Sequence, residues 1–275
     1  THKSLFEADR SLKSDKMIYA PLATSLAVLT EAEKKAGIAM LDIGDHTTDL
    51  IIFKDGIIRR LMSFPIAGRH ITSDLSIGCG IQTENAINLK KEFGSAISAD
   101  IPLNIEVLVN FLAGRPPKQV LKKNIALIIE ERLKEIAAMV YADICVSGYE
   151  EQLLGGLVLT GGSANIPDIE YLFEKVTGMS VRIGLPDQLA RTAKADAVSN
   201  TSFTTAIGLA WAGIKAIDPR IKSVCRPKGA NILPSVPVVP EREQKAPEVR
   251  ETPKRGGNSW EFLSKKDDNS DGGGY

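Results

Sequence analysis

A mixed α/β domain of layered type is predicted by three observations. Short apolar runs alternate with stretches of helical periodicity through the first 225 residues. Turn-forming pairs such as Asp55-Gly56 and Pro116-Pro117 punctuate them. Hydrophobic residues make up 43% of a 275-residue chain, enough to bury the core of one or two domains. No internal repeat is visible.

The elements follow in order. Lys16 to Tyr19 reads as a short strand. Pro21 to Ala36 reads as one helix, because Leu22, Leu26, Leu29 and Ala32 fall on one face. Ile38 to Ile43, Thr48 to Phe53 and Ile57 to Pro65 are apolar runs joined by polar turns. They predict a three-stranded meander with a hairpin at Asp55-Gly56. Residues 68–77 and 83–93 read as helices, and 96–111 carry weaker strand signals. Pro116-Pro117 opens a long helix over 118–147, with Ile125, Ile128, Ile129, Leu133, Ile136 and Met139 on its apolar side. Leu157 to Thr160 is a buried strand, Ile166 to Thr177 a helix, Val181 to Ile183 a strand and Ala206 to Ala216 a final helix.

Composition changes near residue 225. Residues 226–275 hold six of the 14 prolines and six of the 23 glycines. Such a segment cannot bury enough apolar surface to offset its ordering entropy, so a disordered tail is predicted. Its one apolar island is Trp260, Phe262 and Leu263, followed by Lys265 and Lys266.

Charge narrows the function. Lys+Arg and Asp+Glu each total 34, which argues against a general nucleic-acid binder. No run of 18 apolar residues marks a membrane-spanning helix, and the first residues carry no secretory signal pattern. Cys79, Cys145 and Cys225 form neither a CxxC pair nor an even set, which predicts a reducing compartment. Three histidines without H-E-x-x-H leave little room for a structural metal site.

Two motifs carry chemistry. Leu41-Asp42-Ile43-Gly44-Asp45-His46-Thr47-Thr48-Asp49 lies between two strands. Backbone N–H groups of such a turn can face an anion, Gly44 permits close approach, Asp42 can hold a hydrated Mg²⁺ and Thr47 can donate to a phosphate. An ordinary hairpin turn explains the same residues. The second motif, Gly155 to Ala164 with Gly161, Gly162 and Ser163 after a buried strand, can seat a nucleotide against backbone or be a plain strand-to-helix turn.

Together the two motifs, with a helical insert between them, resemble the actin superfamily of ATPases and, within it, the FtsA family of bacterial cell-division proteins. The resembling segments are LDIGDHTTDLIIFKDG, SFPIAGRHITSDLSIGCGI, the GRPPK turn, GGLVLTGGSANIPDI, VTGMSVRIGLP and TAIGLAWAG. They run through roughly residues 16–215. The resemblance implies an actin-like (ribonuclease H-like) α/β fold with a mixed five-stranded sheet and an inserted α/β subdomain. It implies a remnant strand and helix of an N-terminal half over 1–38, a larger subdomain from 39–65 and 152–220, an inserted one over 66–151, and the tail from 221. It places ATP with Mg²⁺ near Asp42, Gly44 and Thr47, the adenosine at Gly161, Gly162 and Ser163, and Lys90 along the nucleotide. Ile207-Gly208 would fall in a connecting helix.

Departures from the family pattern shape the expectation. The phosphate loop of the family usually reads D-I-G-G-G-T, whereas Asp45 and His46 stand here. A carboxylate beside a triphosphate is repulsive by on the order of 1 kcal/mol. Where the family often has a Glu three residues before the helical lysine, this chain has Ile87. No D-x-G-x-T motif precedes Asp42, so half of the nucleotide cleft is expected to be missing and at most weak ATPase activity remains. An actin-superfamily ATPase or sugar-kinase-like enzyme, or a fragment unable to bind nucleotide, stays as the alternative.

The same resemblance points to partners. FtsA proteins bind the acidic C-terminal peptide of the tubulin-like protein FtsZ on the subdomain that carries the long helix. Arg132 then becomes the carboxylate-binding fork, with Lys122 and Lys123 beside it. FtsA proteins also self-associate into filaments and end in an amphipathic membrane segment, which Trp260, Phe262 and Leu263 would supply. The implied place is the cytoplasmic face of the bacterial inner membrane, at the division site.

Overall fold

The structure, a computed structural model, describes residues 17–109, 116–186 and 200–217. Among the described residues, seven α-helices and seven strands order as α1 (Ala20–Val28), α2 (Glu31–Ala36), β1 (Ile38–Ile43), β2 (Thr48–Lys54), β3 (Ile57–Phe64), α3 (Gly68–Cys79), α4 (Thr83–Phe93), β4 (Glu106–Val109), β5 (Lys118–Leu121), α5 (Lys122–Ser147), β6 (Leu157–Thr160), α6 (Ile169–Thr177), β7 (Val181–Ile183) and α7 (Thr204–Ile217). Single 3₁₀ turns cover Glu150–Gln152, Gly162–Asn165 and Thr201–Phe203.

Five strands form one mixed sheet in the order β3-β2-β1-β6-β7. β1 pairs antiparallel with β2 and parallel with β6. As the central strand it is buried at all six positions, which is why its sequence is an unbroken apolar run up to Asp42. Its alternate residues feed two cores. Ala39, Leu41 and Ile43 join Leu50, Ile52, Leu157 and Leu159 in the larger one, which α3, α4, α5 and α6 complete. Ile38 and Met40 join Ile51, Phe53 and Val158 in the smaller one, closed by α1 and Ile207 of α7. This is the two-residue period of a sheet covered on both faces.

The β2–β3 hairpin turns at Asp55 and Gly56, both left-handed at φ 58° and 75°. Two successive positive φ values define the turn that matches the twist of a hairpin, and Asp-Gly tolerates both. β3 is an edge strand, and only Phe64 of its eight residues is buried.

Three expectations are corrected. Residues 17–19 form no strand, and Lys16 lies outside the described residues. The single helix over 21–36 is two helices. Thr30 ends the first run by capping the second: its hydroxyl accepts from Glu33 N–H, and the Glu33 carboxylate accepts from Thr30 N–H at 2.7 Å. The buried face of α1 is Ala23, Thr24, Ala27 and Val28, while Leu22 and Leu26 are half-buried. Finally, Lys118–Leu121 is not the start of the long helix but strand β5, paired antiparallel with β4. The helix starts at Lys122. The weaker strand signals over 96–111 resolve to β4 alone among the described residues.

α1 and α7 pack closely, because a side chain on Gly208 would place its Cβ 1.9 Å from the Ala23 carbonyl oxygen. We predict that Gly208→Ala lowers unfolding stability by about 1–3 kcal/mol in a urea titration, an overpacking cost. Gly213→Ala, which meets nothing within 4 Å, gains several tenths of a kcal/mol from helix propensity. Equal effects would refute this helix crossing.

Candidate functional site

β1 and β6 run parallel and in register, with Asp42 beside Thr160, so their C-terminal ends open side by side. That edge of a parallel pair is where ligands bind in open α/β sheets. The loops leaving it meet because two glycines allow it. Gly161 has φ 90°, and a Cβ there would sit 2.4 Å from Asp42 Oδ1 and 2.6 Å from the Ile43 oxygen. Gly68, which starts α3, would place a Cβ 2.4 Å from Ser163 Oγ. Hydrogen bonds then close the corner. Ser163 Oγ donates to the Gly44 carbonyl at 3.0 Å, and Gly68 N–H donates to the same oxygen at 3.1 Å. Arg69 N–H donates to the Asp45 carbonyl at 2.7 Å.

A cavity of about 540 Å³ opens on this corner, lined by Gly44, Asp45, Lys90, Gly162, Ser163 and Asn165, among others. The size suits a nucleotide-scale ligand. Lys90 reaches it from α4 and donates to the Gly68 carbonyl and to Thr72 Oγ1, both at 2.8 Å. Burial lowers its ammonium pKa, the Asp45 charge works against that shift, and Lys91 adds to it. The far wall comes from Asn200 and Ser202, held by Asn165 Nδ2 at 3.1 Å and 3.3 Å.

Asp42 is buried and does not line the cavity. Its Oδ2 accepts from Thr24 Oγ1 of α1 at 2.9 Å and from Thr205 Oγ1 of α7 at 3.1 Å. Burial raises its pKa, the two hydroxyl bonds pull it back, and the Asp49 charge adds to the rise. Thr47 is exposed, its hydroxyl donates to Asp49 Oδ2 at 3.4 Å, and it does not line the cavity. Among the described residues no three His, Cys, Asp or Glu side chains are placed to hold a metal.

The two unusual loop residues form a chain with a third. Arg69 Nη1 lies 3.0 Å from His46 Nε2, and His46 Nδ1 lies 3.2 Å from Asp45 Oδ2. An arginine N–H can only donate, so a neutral His46 accepts at Nε2 and donates from Nδ1 to Asp45. Gly44, Lys90, Gly162 and Ser163 are thus brought together around one cavity, with Gly161 behind them. Sequence reading did not single out Asn165, Asn200 or Ser202 as site residues. Asn200 and Ser202 come from a separate loop and carry no local motif.

The second candidate surface is a groove of about 500 Å³ between α3 and α5. Arg132 sits in it but is not free. Its Nε and Nη2 fork onto Asp74 at 2.6 Å and 3.0 Å, and Nη1 contacts Glu135. Lys122 and Lys123 occupy the first turn of α5, both half-buried and outside the groove lining. Ile87 is 36% exposed on α4. Trp260, Phe262 and Leu263 lie outside the described residues. No helix among the described residues is long and apolar enough to cross a membrane.

Comparison with known proteins gives concordant results. The family "Cell division protein FtsA" matches residues 39–208. The Pseudomonas aeruginosa cell division protein FtsA is 32% identical over 229 residues, 83% of this chain and 54% of that protein. The Neisseria meningitidis one is 36% identical over 205 residues, 74% of this chain and 49% of that protein. The chain therefore spans about half the length of the curated relatives it matches. Among solved structures, ADP-bound MreB5 of Spiroplasma citri superposes with a TM-score of 0.59 at 18% identity, covering 78% of this chain and 65% of its own. The fold is the actin-like one.

The buried Asp42 carboxyl makes stability depend on pH. Its folded-state pKa stands above the ordinary 3.8, so its contribution is fully present below that value and is lost as pH rises through the raised one. We expect Asp42→Asn to remove that step from urea midpoints measured between about pH 4 and 8. An unchanged pH profile would mean that the carboxyl is not desolvated.

Proposed function

The chain belongs to the FtsA family of cell-division proteins, and on that premise we propose that it is an adaptor of the division cytoskeleton. In this reading it docks the C-terminal peptide of FtsZ and links it to the inner face of the cytoplasmic membrane at the division site. The carrying observation is the α3–α5 groove, a concave surface with Arg132 in its wall. Lys122 and Lys123 extend the basic end of α5. The apolar island Trp260, Phe262 and Leu263, with Lys265 and Lys266 after it, is the sequence we assign to the membrane.

Nucleotide is assigned to the corner cavity. ATP phosphates would lie along Gly44 and the Thr47 turn, adenosine against Gly161, Gly162 and Ser163, and Lys90 beside them. Three features support this fit: glycine backbone at the ends of two parallel strands, a cavity of suitable volume, and an ammonium within it. Mg²⁺ near Asp42 would draw most of its ligands from water and phosphate oxygens. We assign ATP to assembly into filaments rather than to turnover. Residues 39–65 with 152–220 would form one subdomain and 66–151 the one inserted in it.

Titration with a fluorescent FtsZ C-terminal peptide tests the adaptor reading. Saturable binding is expected, weakened at least tenfold by Arg132→Glu, about 1.4 kcal/mol. A folded chain that shows no saturable binding would sink it. For the nucleotide, Asp45→Gly removes a carboxylate from the cavity lining. We predict roughly fivefold tighter ATP binding, about 1 kcal/mol, by calorimetry. Weaker binding would show that Asp45 assists the nucleotide.

A further inference from the structure

Two successive lysines of α4, Lys90 and Lys91, line the corner cavity, and their surroundings differ. Lys91 is exposed, whereas Lys90 is half-buried and bonded to α3. Thr72 Oγ1 donates its single proton to the Gly68 carbonyl at 3.1 Å. Towards Lys90 that oxygen can then only accept, as the Gly68 carbonyl does. Two N–H groups of Lys90 are therefore committed, each to a neutral acceptor. Loss of the third proton would break neither bond. It would leave a free amine held in place by its two remaining N–H groups, with its lone pair uncommitted.

The nitrogen adjoins both glycine loops. A Cβ built on Gly68 would lie 3.4 Å from Lys90 Nζ, 3.0 Å from the Gly44 oxygen and 2.4 Å from Ser163 Oγ. Burial lowers the ammonium pKa of Lys90, with the Asp45 charge against that shift and the Lys91 charge in its favour. The free-amine fraction rises accordingly. Desolvation of this kind is what turns a lysine into a nucleophile. Lys91 adds a solvated cation to the same lining, suited to hold a phosphate as a point charge. Asp45, also in the lining, opposes anions there. It opposes one phosphate less than three, because the repulsion grows with the charge brought in.

We propose that Lys90 is a modification site that takes the acyl group of a small acyl phosphate seated in the corner cavity. The phosphate lies on Lys91 and the glycine loops, and the carbonyl carbon meets Lys90 Nζ. The amine lone pair forms the new C–N bond. The C–O bond to phosphate breaks with its electron pair, and inorganic phosphate leaves. The surplus amine proton passes to water. Acylated Lys90 is uncharged and keeps one N–H, so it bonds to the Gly68 carbonyl or to Thr72 but not to both. The modification removes a cation from the cavity lining and so weakens nucleotide binding there. Thr72 is a positioning residue that holds the amine for attack. The inference rests on the reading of the corner cavity as a phosphate site.

In the test, the full chain is incubated with acetyl phosphate and acetylation at each lysine is followed by peptide mass spectrometry. Lys90 should react about tenfold faster than Lys35 and Lys175, which are exposed on α2 and α6. Excess inorganic phosphate, or Lys91→Gln, should slow Lys90 about threefold or more and leave the two reference lysines unchanged. With N-acetylimidazole, an acetyl donor that carries no phosphate, the effect of Lys91→Gln should vanish. Thr72→Val should slow Lys90, and Thr72→Ser should restore it, in chains whose melting curves match the parent. The proposal is overturned if Lys90 reacts no faster than the reference lysines, if phosphate gives no protection, if Lys91→Gln slows both donors alike, or if Thr72→Val changes nothing. ATP separates the two levels. If Lys90 is acetylated as expected and ATP neither protects it nor binds, the modification site stands and the nucleotide assignment falls. If ATP binds and Lys90 reacts like the reference lysines, the nucleotide assignment stands and the modification site falls.

Discussion

The contact of the two loops at the ends of β1 and β6 is what the site depends on. Gly161 presses its backbone against the Asp42 side chain and the Ile43 carbonyl, and Gly68 lies against Ser163. Any side chain at either point would hold the loops apart by the width of a methyl group. The carbonyl of Gly44 then collects two donors, from Ser163 and from Gly68. Those two bonds tie the β1 loop to the second glycine loop and to the first turn of α3, so three segments far apart in the chain share one corner. The cavity opens on that corner, and Lys90, which lines it, bonds to the same first turn.

Charge at this corner divides into a buried layer and an exposed one. Asp42 is enclosed by the sheet and tied through hydroxyls to α1 and α7, the two helices that cover the opposite face. Burial holds its carboxyl toward the neutral form, and hydroxyl donors keep the charged form accessible. Asp45 and His46 sit above it at the solvent edge, where ion pairing is screened and weak. The exposed residues therefore tune what approaches the cavity, while the buried one joins the end of β1 to the helix pair behind the sheet.

The α3–α5 groove follows a different logic. Its aliphatic side chains Ile77 and Leu127 stay open to solvent beside a closed network of ion pairs, in which Arg132 holds both Asp74 and Glu135. A single basic residue on a helix face looks like a free fork when only its own helix is considered. The fold supplies a partner 58 positions away and the fork is filled.

Local chemistry was enough for much of this molecule. The apolar runs of β1, β2 and β6, the Asp55-Gly56 hairpin and the helices α4 and α7 could be read directly, because period and turn residues act within a few positions. The glycine motifs could be found for the same reason. Thr30-x-x-Glu33 was equally local, but the leucine spacing across it was a stronger apparent signal and hid the break between α1 and α2. Tertiary structure alone made Lys118–Leu121 a strand, since its pairing with β4 lies outside its own segment. It alone brought Asn200 and Ser202 to the cavity, tied Asp42 to Thr205 and paired Arg132 with Asp74. Sequence by itself determined most of the strands, turns and helices and which residues are able to carry chemistry. Only the fold decided which of those residues are buried, which are already bonded and which remain open to a partner, because burial and pairing are properties of neighbours distant along the chain.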